Sequence, residues 1–334
     1  MIISKTPLRI SLFGGGSDFP SYYKNHKAEV LGFALNRYNY ILFSTRFRNN
    51  SKYKYNINYS LNEKTNFINS IKHRSVRETL KFFNFNSPFE LHYNGDLPAR
   101  SGLGSSSAFT VGLCKILNFL SEKKIKNIDL AKQAICIEQK KIKEYVGSQD
   151  QLFASVGGLN QFKFYKDKIS INKIELNSSL IKKIEDSSLL IFTGISRTAE
   201  KIEAKKFRNL DKSKITLLDE LVSYTRNANK IIRSSNFRTK ELGNLLDQSW
   251  KLKKSIHKDV SNYKINQIYN YAISLGAYGG KLLGAGSGGF IYILCPKNKK
   301  KYIESKLNRQ ICINVGISKV GSQIISPSSL KNQL

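Results

Sequence analysis

The stretch "DLPARSGLGSSSAF", Asp96 to Phe109, decides how this chain is read. Two glycines bracket a leucine, three serines follow, and an apolar pattern of helical period runs on to Leu120. Gly102 and Gly104 lack a Cβ, so the backbone there can take left-handed angles and come close to a ligand. Ser105, Ser106 and Ser107 then enter the helix. The first turn of a helix has N–H groups without intrahelical partners and carries the positive end of the dipole, so it attracts anions. Serine hydroxyls add donors, and one can ligate a Mg²⁺ that bridges phosphates. A capped helix behind a glycine turn is the plainer explanation. Pro98, two glycines and three serines together favour a phosphate cradle. The chain has no G-x-x-x-x-G-K-[ST] loop and no protein-kinase HRD or DFG, so phosphoryl transfer here needs another architecture.

Four other segments can carry chemistry. "PLRISLFGGGSDFP" (7–20) reads as a strand holding Arg9 that ends in Gly14, Gly15 and Gly16, then Ser17 and Asp18. Asp18 and Ser17 can bond sugar hydroxyls, or Asp18 can simply cap the next helix. "NIDLAKQAICIEQKKIKEYV" (127–146) reads as one helix whose apolar stripe (Ala131, Ala134, Ile135, Ile142, Tyr145) includes Glu138. A carboxylate on a buried face is costly without a cation or donors; Mg²⁺ and a buried Arg or Lys are the two candidates. "GSQDQ" (147–151) comes next, and a short turn there can bring Asp150 beside the phosphate site or make it an ordinary cap. "GAYGGKLLGAGSGGF" (276–290), with Gly286 and Ser287, holds seven glycines before an apolar strand. That density means tight backbone packing or a second ligand wall. Arg197 in "FTGISRTAEKI" comes after a strand and can fork onto a phosphate.

Composition bounds the rest. Lys and Arg number 55 against 24 Asp and Glu, a formal charge of +31, but the basic residues are spread along the chain. That spread favours biased composition over nucleic-acid binding, with an anionic substrate kept open. The four cysteines form no C-x-x-C pair and read as reduced core residues. The four histidines form no cluster. No apolar run reaches a membrane span and the start reads as a strand, so a cytoplasmic location is expected. Strands are predicted at 2–13, 30–35, 38–45, 54–59 and 89–93, and in "GGLNQFKFY", "SLLIFTG" and "INVGISKVG". Helices are predicted at 67–83, 105–120, 127–146, 213–234, 239–257 and 263–275, and in "KNKKKYIESKLNR". The mixture favours α+β, with a domain boundary near residue 185.

In order and spacing, "PLRISLFGGGSD", "LPARSGLGSSSA" and "KLLGAGSGGF" resemble the three motifs of the GHMP small-molecule kinases. The second motif, P-x-x-x-G-L-G-S-S, is highly specific. Within the family, "GSQDQLFASVGGLNQF" and "FTGISRTAEKI" are similar to the D-glycero-D-manno-heptose 7-phosphate kinases. The resemblance implies two domains, residues 1–184 with a ribosomal-S5-like fold and 185–334 with a ferredoxin-like α+β fold, with the sites between them. It implies Asp150 as catalytic aspartate with Arg9 as its partner, and residues Gly102–Ser107, Leu103 included, around ATP phosphates. It implies Glu138 and Ser106 as Mg²⁺ ligands, with Ser105 as the alternate, while the extra serine, Ser107, is expected to be neutral. Asp18 with Gly15, Gly16 and Ser17, and motif three with Gly286 and Ser287, would face the substrate; Arg197 lies in the segment similar to the heptose kinases, and its position after a strand is read as a clamp for the 7-phosphate. The partners implied are ATP and a sugar phosphate, with no nucleic acid and no membrane, and a homodimer is compatible. Another sugar 1-kinase, a non-catalytic sugar sensor and a nucleic-acid binder are the rival readings.

Overall fold

The structure, a computed structural model, describes residues 1–45, 52–175, 177–195, 208, 210–284 and 286–325. The first half builds one sheet from β1 (Ile2–Phe13), β2 (Ala28–Thr45), β3 (Tyr55–Asn58), β4 (Asn62–Thr65), β5 (Phe89–Gly95), β6 (Leu159–Tyr165) and β7 (Lys168–Ile174). The second half builds an antiparallel sheet in the order β11-β8-β10-β9, from β8 (Ser188–Phe192), β9 (Gly279–Leu282), β10 (Phe290–Leu294) and β11 (Cys312–Asn314). The chain then returns: β12 (Gln323–Ile325) pairs antiparallel with β1 and completes the first sheet.

The helices are α1 (Pro20–Tyr23), α2 (Arg74–Phe82), α3 (Ser105–Leu120), α4 (Asn127–Cys136), α5 (Gln149–Val156), α6 (Ser178–Ser187), α7 (Lys212–Arg233), α8 (Thr239–Ile256), α9 (Tyr263–Ser274) and α10 (Lys300–Lys306). Strands and helices are mixed through the first half and helices dominate the second, an α+β arrangement. The expected boundary at 184/185 falls inside α6, just ahead of β8. One core cluster joins the two sheets, bringing Leu8, Ile10 and Phe33 together with Leu190, Tyr292 and Leu294. Both walls of the cleft between them therefore rest on a shared apolar base.

The helix expected at 67–83 is a 3₁₀ turn at Ile68–Ser70 followed by α2 from Arg74, and three further departures each have a local reason. The strands expected at 30–35 and 38–45 are one strand, β2, because β1 supports it throughout. Pro7 pairs with Tyr38 and Leu8 with Leu35, so the polar pair Asn36–Arg37 bulges out beside a proline that has no ladder N–H. The helix expected over 127–146 ends at Cys136 and passes into a π-turn at Ile137–Lys141, marked by the Ile142 N–H bond to the Ile137 carbonyl (2.8 Å). The strand expected in "INVGISKVG" is confined to β11 plus a single bridge from Ile317 to Leu35. Arg197 lies outside the described residues.

Candidate active site

A cleft of about 710 Å³ is lined by residues from both sheets and the helices over them. Arg9 sits in mid-β1 and is almost wholly buried. Its Nε and Nη2 donate to the two oxygens of Asp150, at 2.7 and 2.8 Å, a fork-on-fork ion pair. Its Nη1 donates to the Gly102 carbonyl at 2.6 Å, and its backbone N–H to the Leu103 carbonyl at 3.0 Å. One residue thus fixes both the carboxylate and the glycine loop. Asp150 stands in the first turn of α5, where the helix dipole favours a negative charge.

The two glutamines beside Asp150 organise the other two carboxylates. Gln149 donates from its backbone N–H (3.2 Å) and its Nε2 (3.0 Å) to Asp18, which also accepts from the Gly16 N–H (3.0 Å). Gln151 Nε2 donates to Glu138 Oε2 at 2.6 Å. Burial, with the nearby charge of Asp150 adding to it, raises the Asp18 carboxyl above its usual range, while the Gly16 N–H opposes the shift. Gly147 is obligatory at this turn, since a Cβ there would lie 2.0 Å from Asp18 Oδ2.

The stretch around Gly102–Ser107 opens a helix start onto the cleft. Gly104 caps α3 at φ +76° and offers no side chain, so the first-turn N–H groups have no side-chain cap. Gly102, Gly104, Ser105, Ser106 and Ser107 all line the cleft. The three serines divide their work. Ser105 engages the Tyr93 hydroxyl, Ser106 is exposed, and Ser107 donates to Glu138 Oε2 at 2.9 Å. The expectation that Ser107 is neutral is corrected: it holds the buried glutamate.

Glu138 sits on the π-turn, where the extra residue of the wider turn re-aims it, a feature such turns commonly show at functional sites. It is 1% exposed, and its Oε1 has no hydrogen-bond partner. Burial lifts its carboxyl to about 7. A buried carboxylate oxygen without a donor, beside serine hydroxyls and free helix N–H groups, fits a divalent cation. Among the described residues no group of three or more His, Cys, Asp or Glu side chains could hold a metal. A Mg²⁺ here would therefore share its coordination with phosphate oxygens and water, as it commonly does.

Other expected site residues stand elsewhere. Leu103 points its side chain into the core. Ser17 Oγ donates to the Gly14 carbonyl at 2.8 Å and does not line the cleft. Gly286 and Ser287 are off the cleft wall as well; Ser287 Oγ donates to the Asp259 carbonyl. Motif three reaches the cleft through Gly284 and Lys281 instead. Gly15, Gly16 and Asp18 do line it.

Several lining residues escaped the sequence reading: Gln149, Lys253, Lys281, and an aromatic group of Tyr59, His73, Tyr93 and Phe109. Lys253 had a readable signal. It falls on the buried stripe of α8 with Leu242, Leu246, Trp250 and Ile256, the same argument that singles out Glu138. Lys281 had a weaker one, a lysine between glycines and leucines in β9.

A two-sheet α+β fold with an uncapped, glycine-led helix facing an Arg–Asp pair defines a class. The chain belongs to the GHMP kinases: the family's N-terminal domain matches residues 68–158 and its C-terminal domain residues 232–311. Members of this family are ATP-dependent phosphotransferases. The chain is 30% identical over 324 residues to the D-glycero-alpha-D-manno-heptose 7-phosphate kinase of Campylobacter jejuni, covering 92% of this chain and 94% of that protein. It is 29% identical over 245 residues to the galactokinase of Pyrococcus furiosus, covering 65% and 67%. The crystal structure of a D-glycero-D-manno-heptose 1-phosphate kinase from Bacteroides thetaiotaomicron shares the fold, with a TM-score of 0.80 at 21% identity over 98% of this chain and 99% of that one. No helix among the described residues is long and apolar enough to cross a membrane.

Proposed function

We propose that this chain is an ATP-dependent sugar 1-kinase. It would phosphorylate the anomeric hydroxyl of D-glycero-D-manno-heptose 7-phosphate and give the 1,7-bisphosphate, for GDP-heptose and surface-polysaccharide synthesis. One observation carries the reaction type: the Arg9–Asp150 pair and the uncapped N-terminus of α3 share one cleft, and Gly104 touches both. The near full-length likeness to a heptose 7-phosphate kinase supports the substrate.

In this reading the first-turn N–H groups of α3 hold the nucleotide's phosphates. Contacts lead from Ser105 through Tyr93 to Phe109 and His73, an aromatic wall suited to a purine. Asp150 directs a lone pair at the acceptor hydroxyl and takes its proton as the new bond forms. Both its oxygens accept from Arg9, so its plane is set before substrate arrives. Arg9 also offsets charge gathering on the transferred phosphoryl group. Glu138 Oε1 with Ser106 or Ser107 would hold Mg²⁺, which when bound neutralises phosphate charge. Most of the catalysis is positioning and electrostatics, as phosphoryl transfer generally needs.

A coupled ADP-release assay across acceptors tests the reading. Heptose 7-phosphate should turn over far better than galactose, fucose or unphosphorylated heptose. Equal use of galactose would favour the second reading, a hexose 1-kinase, which the galactokinase relative supports. Sugar binding without ADP release would make the chain a sensor.

A further inference from the structure

Beside the Arg9–Asp150 pair the cleft has a second polar centre. It is built around Gly15, in the loop after β1. A point one bond out from its Cα, where a Cβ would stand, lies 3.1 Å from Ser11 Oγ, 3.4 Å from Gln149 Nε2 and 3.8 Å from Lys253 Nζ. Three side chains from three elements thus converge beside the bare Cα of Gly15. Ser11 is 4% exposed and Gln149 8%, and both line the cleft. Ser11 Oγ has no hydrogen-bond partner among the described residues, while Gln149 Nε2 already donates one bond to Asp18.

Basic side chains crowd this wall of the cleft. Lys253 Nζ donates to the Gly284 carbonyl at 3.4 Å. Lys281, also buried, donates to the Leu12 carbonyl at 3.0 Å and lines the cleft. Burial, then the charges of Lys253 and Arg9, push the Lys281 ammonium well below its usual range, while Asp18 opposes them. The nearby carboxylates are engaged. Asp150 accepts both forks of Arg9, and Asp18 accepts three N–H bonds. Cationic groups crowded closely enough that Lys253 and Arg9 depress Lys281 are relieved by an anion nearby, which a neutral hydroxyl would not do.

We propose that Ser11, Gln149 and Lys253, backed by Lys281, form around Gly15 a subsite for a phosphate-like anionic group on the acceptor. This deepens the sugar-phosphate kinase reading and rests on it for the identity of the acceptor. It also supplies a clamp from described residues, built on Lys253 rather than on Arg197. Gly15 keeps this wall open: an alanine methyl would project toward the three groups, to 3.1 Å from Ser11 Oγ and 3.8 Å from Lys253 Nζ, and crowd the space beside them.

The test uses the full chain saturated with a non-hydrolysable ATP analogue, so that the α3 cradle is filled, and measures inorganic phosphate binding by calorimetry. Wild type should bind phosphate. Lys253→Gln and Gly15→Ala should each weaken that binding at least tenfold while leaving the analogue's affinity within about twofold, which also shows that the variants fold. In turnover assays, Lys253→Gln should raise KM for heptose 7-phosphate at least tenfold and change kcat/KM for unphosphorylated heptose far less. No phosphate binding by wild type, or binding that both variants leave unchanged, overturns the subsite. So does an equal loss on the phosphorylated and unphosphorylated sugars. If phosphate binds at this subsite but no sugar is phosphorylated, the subsite stands and the sugar-kinase reading falls.

Discussion

Motifs two and three are both glycine-rich loops, and their glycines do opposite things. In motif two, Gly104 sits at φ +76° and opens the start of α3 to the cleft. In motif three, Gly289 sits at φ +102° and closes a backbone contact. A Cβ there would lie 2.2 Å from the Ser101 carbonyl, which accepts the Phe290 N–H at 3.1 Å. Motif three is thus largely the buttress of motif two, touching the cleft only at Gly284 and Lys281. The difference comes from the element into which each loop leads. A helix leaves its first N–H groups over for a ligand, whereas a central strand such as β10 has neighbours on both sides.

Substitutions at the two glycines separate these roles. Gly289→Ala forces a backbone clash in a strained conformation, so stability should fall by ~3 kcal/mol or more, read as a large drop in Tm. Gly104→Ala puts a methyl 3.1 Å from both Arg9 Cγ and Asp150 Oδ2. Its stability loss should be nearer ~1–2 kcal/mol, the left-handed penalty, while misplacing the pair should cost on the order of 10²-fold in kcat. If Gly104→Ala unfolds the protein while Gly289→Ala leaves it stable, the division of labour is reversed. Ser107→Ala should act less, removing one of the donors to Glu138 at about 1 kcal/mol or more and raising the Mg²⁺ concentration needed for half-maximal rate.

The smallest effect is a pH profile of metal-free protein. The Glu138 carboxyl titrates near 7 when folded and at the ordinary 4.5 when unfolded. Between those values the native state holds the extra proton, so stability should decline as pH rises from about 5 to 7 and level off above. Glu138→Gln should flatten that slope, measured as Tm against pH in chelator. An unchanged slope would mean that burial does not raise the Glu138 carboxyl.

Much of the site was legible because its residues break a local rule. Glu138 stands on an apolar stripe, and Gly102 and Gly104 precede a helix with no capping side chain. Lys253 broke the same rule as Glu138 on α8 and could have been read the same way. Other features were not legible. The π-turn at Ile137–Lys141 preserves an apolar pattern that α-helical spacing also fits, so nothing in the order of residues marks it. The work of Gln149 and Gln151 depends on where Asp18 and Glu138 arrive from, more than 130 residues and 13 residues away respectively. Ser17 and Ser287 look like ligand groups in a motif, yet backbone carbonyls nearby take their hydroxyls. In the fold, β12 escaped notice because a three-residue edge strand has too short an alternation to read.

The central claim is that Asp150, held by Arg9 against the start of α3, is the group that acts on the acceptor. The most direct measurement is the kcat of Asp150→Asn on heptose 7-phosphate, with ATP-analogue affinity and Tm measured on the same preparation. The amide keeps the shape and loses the charge, so kcat should fall by on the order of 10²–10⁴-fold while nucleotide affinity stays near wild type. Near-normal turnover in a folded variant would contradict the account.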